Sequence, residues 1–330
     1  QIFFNHQPLL PVISYLLQYF DNPQTLYELV RLHRTFVIDF SFGMNMLLIW
    51  RFGWVGIGFS LLYESTKFYS MGSLFLGESL SVYLYVYVFL ATYWRWRGRP
   101  HKTIDSILVP CMIWAGIFLR EPYIPLAGFL FLSYVLVAKK QIKVSLLIFA
   151  ALTLITLWQL PLGDYWFAVV TANAQALVLP EIQKMGTGGF GIVKPFLYPI
   201  LVWFGGVWNI YRFIECAVSL GLLSLGFVLF RDKKSIRLFL FWLYIVLGLG
   251  ALRYVPAGTM YYEAFHLLPW WGLMLAAVCL LSSEYWRMNG YRLRKGIIVW
   301  YFILLGLLIF SPKSFYWERF DTKGEFATGY

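Results

Sequence analysis

Glu78, Arg120, Arg253, His266, His6 and Lys184 are the residues of this chain whose types and settings point to chemistry, because each lies in or beside an apolar run. An ionisable side chain at the centre of a membrane helix costs about 2.5 to 3.5 kcal/mol on insertion scales, which makes such residues functional candidates by default. Glu78 stands in FLGESLSVYLYVYVFL, Arg120 in WAGIFLREPYIPL, His266 in MYYEAFHLLPWWGLML and His6 in QIFFNHQPLL. Asp164, Glu181 and Lys184 precede GTGGFG at 186 to 191. No strand precedes that glycine run and no Lys-Ser/Thr follows it, so it reads as a flexible loop able to order over a substrate rather than as a phosphate loop. Carboxylate, guanidinium and imidazole gathered at one face suit a cavity that receives an anionic lipid headgroup.

Plainer readings stand beside each. Glu78 could pair with Lys67 or a backbone group, and Arg120 could reach toward headgroups or pair with Glu121. His266 could be a hydrogen-bonded interfacial histidine. Asp39, within FVIDFSFGMN, reads as a buried polar contact between helices, deep in its span and toward the cytoplasmic half.

The elements that must position these groups follow from composition. Of the 330 residues, 60% are hydrophobic, 21% aromatic and only 13% charged. Together with a mean hydropathy of +0.66 this excludes an ordinary soluble surface. Apolar runs at 72 to 94, 213 to 230, 265 to 282 and 296 to 311 approach the length that crosses a hydrocarbon core, and helices of that kind satisfy their own backbone in lipid. The fold class is therefore all-α and polytopic, without the alternating pattern of a membrane barrel.

The net charge of +11 falls in clusters between the apolar runs, at Arg95 to Lys102, Lys139 to Lys143, Arg231 to Arg237 and Arg287 to Lys295. Such loops mark a cytoplasmic side and attract anionic membrane lipids. Nucleic acid is excluded as a partner because the aromatic residues lie in the spans and not among these charges. Cys111, Cys216 and Cys279 are scattered in apolar stretches without metal-ligand spacing and read as small buried hydrophobes.

An even number of crossings between basic clusters gives a layout of about ten spans. Residues 32 to 50 descend, 53 to 66 rise, 72 to 94 descend, 104 to 119 and 122 to 138 form a tight pair, and 144 to 160 rises. An outer loop covers 161 to 195 and a Trp- and Tyr-rich interfacial segment covers 196 to 211. Then 213 to 230 returns, 238 to 252 goes out, 265 to 282 comes back and 296 to 311 goes out. Residues 1 to 31 read as the remnant of an outer loop, 32 to 311 as the transmembrane domain and 312 to 330 as an outer tail. Glu78, Arg120, Glu121, Arg253 and His266 then share the outer side with His6 and the loop that holds Lys184. No internal repeat is evident, which argues against an inverted-repeat transporter.

In this arrangement the chain resembles the integral-membrane glycosyltransferases of the GT-C fold, the group of protein O-mannosyltransferases and aminoarabinose transferases. FFNHQPLLPVISYLL resembles their FF.H.PPL-like stretch, with Gln7 where Lys or Pro is common. Glu78 resembles their second acid at the outer end of a later helix. Arg120-Glu121-Pro122 matches a turn in which the basic residue is usually Lys, and MYYEAFHLLPWWGLML keeps Tyr261, Tyr262, His266 and Pro269 of a late Tyr- and His-containing pattern. The resemblance spans residues 1 to about 285. The family's catalytic Asp or Glu lies upstream of the FFNHQPLL stretch, so the chain reads as truncated within its first outer loop, with the catalytic acid before Gln1.

The resemblance implies transfer of a sugar from a polyprenyl-phosphate donor to a lipid, glycan or protein acceptor on the non-cytoplasmic side of a plasma (inner) membrane. It implies that Arg120, Arg253 and Lys184 balance the leaving lipid phosphate, with Glu78 orienting the acceptor or one of those cations. Tyr262, His6 and His266 line the same site. The two histidines could bind phosphate oxygens or, with a carboxylate, a divalent metal; no cofactor is assigned and a divalent metal stays open. A lipid-linked glycan flippase or transporter is the alternative reading, and a non-catalytic scaffold subunit is a third.

Overall fold

The computed structural model describes residues 7–99, 103–138, 142–159, 162–167, 171, 195–197, 210–232, 234–252 and 265–288. Every regular element among them is helical, as the composition requires. The α-helices are α1 (Leu9–Asp21), α2 (Leu26–Phe52), α3 (Trp54–Thr66), α4 (Gly77–Trp96), α5 (Thr103–Leu119), α6 (Ile124–Val137), α7 (Ile142–Gln159), α8 (Leu162–Trp166), α9 (Ile210–Asp232), α10 (Lys234–Gly250) and α11 (Leu268–Met288). Short 3₁₀ turns at Lys67–Ser70 and Glu121–Tyr123 close two of the connections.

Two helices form the axis of the bundle. Between Glu78 in its first turn and Arg95 in its last, α4 is apolar or hydroxyl-bearing on every side; it is buried from Gly77 to Tyr93, and α11 is buried from Leu268 to Leu281. A helix hydrophobic all round must be wrapped by others. They run parallel, which the pairs Glu78–His266 near their beginnings and Arg97–Glu284 near their ends establish. α5 runs antiparallel to α4: Arg120 meets Glu78, Gly116 meets Tyr85, and Asp105 meets Tyr87. A Cβ on Gly116 would lie 2.7 Å from the Tyr85 ring, so this crossing needs glycine.

α7 has the opposite character. It is 18 residues long with a mean hydropathy of 1.8, and only 6% of it is buried. α7 and the stretch Phe265–Met288, which contains α11, are long and apolar enough to cross a membrane. Large apolar side chains also cover the outside of the bundle, among them Phe42 and Trp50 on α2, Trp158 on α7, Phe227 on α9 and Phe241 on α10.

Several boundaries differ from the sequence reading. The stretch 1 to 31, read as loop, contains α1, and α2 begins at Leu26. The cause is a capping box in which the Thr25 hydroxyl accepts from the Glu28 amide at 3.2 Å and the Glu28 carboxylate accepts from the Thr25 amide at 3.3 Å. Such caps stabilise a helix start by about 0.5 to 2 kcal/mol. Asp39 is not a buried contact but is exposed on α2, beside Ile38 and Phe42. It also lies two residues from Ser41, which bonds Lys67 at the far end of α3, so it does not belong to the half where Arg51 lies. Most of the outer loop 161 to 195, most of the interfacial segment 196 to 211, the run 296 to 311 and the tail 312 to 330 lie outside the described residues.

Candidate functional site

The first turn of α4, the turn after α5 and the start of α11 meet at one end of the bundle. Gly77 makes this possible: a Cβ there would lie 2.7 Å from the Leu119 carbonyl oxygen. The backbone of α4 therefore touches the last turn of α5, and the next residue on each side supplies the site.

Glu78 is 2% exposed, and Arg120 and His266 are each 8% exposed. The Arg120 Nε donates to Glu78 Oε1 at 2.7 Å, and His266 Nδ1 lies 3.2 Å from the same oxygen. Arg120 Nη1 stands 3.7 Å from the Glu121 carboxylate. The Tyr123 hydroxyl donates to the His266 backbone carbonyl, which fixes the approach of α11 to the turn that carries Arg120. Burying a carboxylate so completely is tolerable only with hydrogen-bonded cationic partners, and Glu78 has a guanidinium and an imidazole.

The chain start joins this end. The Tyr165 hydroxyl, on α8, donates to Gln7 Oε1 at 3.0 Å. Burial pushes the Tyr165 phenol up, the Gln7 bond lowers it, and the nearby Glu121 charge raises it further. Gln7 is fully buried and its Nε2 has no partner among the described residues. A line of polar groups thus runs Gln7, Tyr165, Glu121, Arg120, Glu78, His266.

Of the residues singled out from the sequence, the structure brings together Glu78, Arg120 and His266. The others, His6, Lys184, Arg253 and Tyr262, lie outside the described residues. The alternative pairing of Glu78 with Lys67 is not formed. Lys67 Nζ instead bonds Glu64 at 2.6 Å, three residues back, and reaches Ser41 and Tyr83 at 3.1 and 3.2 Å. Glu64 also accepts from Asn45 at 2.7 Å and Tyr83 at 2.5 Å, so this second cluster clasps α2, α3 and α4.

Tyr165 was not legible, because one phenol among 23 tyrosines carries no distinguishing context. Among the described residues no group of three or more His, Cys, Asp and Glu side chains is placed to hold a metal ion. Glu78 and His266 make only a pair. Chemically, the arrangement can hold an oriented guanidinium and an imidazole at a low-dielectric bundle end and present them to an anion. Compared with family models, with curated proteins and with solved structures, the chain matches none.

Proposed function

We propose that this protein is a polytopic integral-membrane glycosyltransferase of GT-C type. It moves a sugar from a polyprenyl-phosphate donor to a lipid, glycan or protein acceptor on the outer face of a plasma (inner) membrane. The observation that carries the reading is the convergence of Glu78, Arg120 and His266, drawn from distant parts of the chain, at one end of the bundle.

The depth of the bundle supports the membrane setting. Along α4, 19 residues from Glu78 to Arg97 rise about 28 Å, and along α11 the 18 residues from His266 to Glu284 rise about 27 Å. Charge pairs mark both ends of each helix, and the distance between them matches the ~30 Å hydrocarbon core. The alternation of direction between α4 and α5 and the parallel run of α4 and α11 support a layout of about ten crossings, in which the basic loops are assigned to the cytoplasm.

In the reaction the acceptor oxygen bonds the anomeric carbon as that carbon's bond to the lipid-phosphate oxygen breaks; the phosphate leaves with the bonding pair and the hydroxyl proton passes to solvent. Arg120, oriented by Glu78, faces that phosphate, and His266 donates to one of its oxygens. Glu78 and Glu121 together outweigh one guanidinium, so Arg253 and Lys184 are assigned the remaining positive charge, with Tyr262 and His6 at the rim. No residue of the described set is assigned as general base. A divalent cation held by His6, His266 and Glu78 is an option that a chelator titration decides.

The test is incubation of the complete protein with polyprenyl-phosphate sugars and an acceptor fraction, following release of the lipid phosphate. Release that Glu78→Gln reduces at least tenfold supports the reading; no release from any such donor sinks it. A lipid-linked glycan flippase is the second reading, favoured by the polar pairs that α4 makes at successive levels through its own Glu78, Tyr83, Tyr87 and Arg97. It predicts movement of intact donor across the membrane without phosphate release.

A further inference from the structure

At the end of the bundle opposite Glu78, a cleft opens between α4, α9, α10 and α11. Tyr93, Trp96, Phe239 and Leu281 form its walls, and Arg97 and Glu284 stand at its polar edge. The charges there do not cancel. Glu284 Oε2 accepts from Arg97 Nη2 at 3.0 Å and from Arg287 Nη2 at 2.7 Å, so two guanidiniums share one carboxylate. The Tyr93 hydroxyl also lies against that carboxylate.

Glu284 is thereby supplied with two guanidiniums, whereas Arg97 shares that single carboxylate through Nη2 and its Nε has no partner among the described residues. A buried guanidinium N–H left unpaired is costly, more so than a neutral donor. Arg95, in the last turn of α4, adds to the positive field, and Arg99, over the Trp94 ring at 4.5 Å, extends it. The cleft thus combines an edge of two guanidiniums that share one carboxylate with a wall of aromatic and aliphatic carbon. A small inorganic anion would use only the first, and an apolar ligand only the second.

We propose that this cleft is a binding site for the phosphodiester group of an anionic phospholipid. A phosphate oxygen accepts from the exposed edge of the Arg97 guanidinium, beside Arg287, while the glycerol and first methylenes lie against Trp96, Phe239 and Leu281. The net positive charge of the Arg97–Glu284–Arg287 set favours an anionic lipid over a zwitterionic one, whose ammonium would meet the second guanidinium. The site rests on the membrane setting proposed above but not on the transferase chemistry, since it lies at the other end of α4 and α11. Bound there, the lipid would tie α4 and α11 to α9 and α10.

The test uses the complete protein in detergent, supplied with phosphatidylglycerol, phosphatidylcholine or inorganic phosphate, with bound lipid counted by native mass spectrometry and melting followed in parallel. The wild-type chain is expected to retain phosphatidylglycerol at least fivefold over phosphatidylcholine, and inorganic phosphate is expected to compete poorly. Arg97→Gln and the cleft-filling Leu281→Trp are each expected to abolish that preference. Lys143→Gln, an exposed basic residue at the same end but outside the cleft, is expected to keep it. Equal retention in Arg97→Gln and wild type, or equal retention of the two lipids, overturns the proposal. So does full competition by inorganic phosphate, which would mark a simple anion site. A chain recovered from cells in the soluble fraction overturns the membrane setting as well, whereas a membrane-embedded chain without lipid preference overturns this inference alone.

Discussion

Glu78 Oε1 lies 3.2 Å from His266 Nδ1, although 188 residues separate them. The same oxygen accepts from Arg120 Nε at 2.7 Å, so one carboxylate oxygen orients a guanidinium and an imidazole, the two groups assigned above to the donor phosphate. Glu78→Ala and Arg120→Ala are each expected to cut sugar transfer at least tenfold. Removing one member of a buried pair also costs stability, about 3 to 5 kcal/mol. Glu78→Gln separates the two effects: it keeps shape and hydrogen bonding, so its melting point should fall less than that of Glu78→Ala while transfer falls as far. Wild-type turnover in Glu78→Gln would remove the residue from the mechanism.

Tyr165 ties the loop end of α7 to the chain start through Gln7. If that link shapes the site, Tyr165→Phe should raise the KM for the polyprenyl donor several-fold and leave kcat within about twofold. The lost hydrogen bond is worth about 0.5 to 1.5 kcal/mol, and Tyr165 touches no reacting atom. An unchanged KM would show that Tyr165 and Gln7 only pack the bundle end.

The sequence made the costly residues visible and hid their partners. Glu78, Arg120 and His266 stood out because charge in an apolar run is rare, and the common level of their helix ends followed from the basic loops. Lys67 was offered to Glu78, yet Glu64 sits three residues before it on one helical face, a spacing that was there to be read. The start of α2 was likewise present as Thr25-x-x-Glu28, a capping signal. Asp39 was different in kind. In a chain whose exterior is as apolar as its interior, hydropathy does not separate the two faces of a helix, so nothing in FVIDFSFGMN told that Asp39 faces outward. The axial role of α4 and the peripheral role of α7 were hidden for the same reason.

Arg51 and Asp105 form a second buried pair, bonded through Nε at 2.9 Å and Nη2 at 2.5 Å, with Tyr87 also donating to Asp105 at 2.8 Å. Its position far from Glu78 predicts a purely structural effect. Asp105→Ala should lower stability by about 3 to 5 kcal/mol, because it leaves a guanidinium buried. The double replacement Arg51→Met with Asp105→Leu should recover most of that loss, since no charge is then left unpaired. Transfer per folded molecule should stay at the wild-type rate in all of these variants, measured as lipid phosphate released by the melting-resistant fraction. A double variant less stable than Asp105→Ala would mean that the pair contributes more than it costs to desolvate.

The directions of the helices make the membrane reading testable without substrate. Gln24 is exposed in the connection between α1 and α2, at the end that holds Glu78, whereas Lys143 is exposed at the start of α7, at the end that holds Arg97. In a chain whose Cys111, Cys216 and Cys279 are replaced by Ala or Ser, Gln24→Cys should react with a membrane-impermeant maleimide on intact cells. Lys143→Cys should react only after permeabilisation. The ends of α4 lie about 28 Å apart along its axis, so a bilayer that contains the bundle must separate these two positions. Labelling of both cysteines in intact cells would leave α4 lying outside the bilayer, and the reversed pattern would place Glu78, Arg120 and His266 on the cytoplasmic side, where a polyprenyl donor presented outside could not reach them.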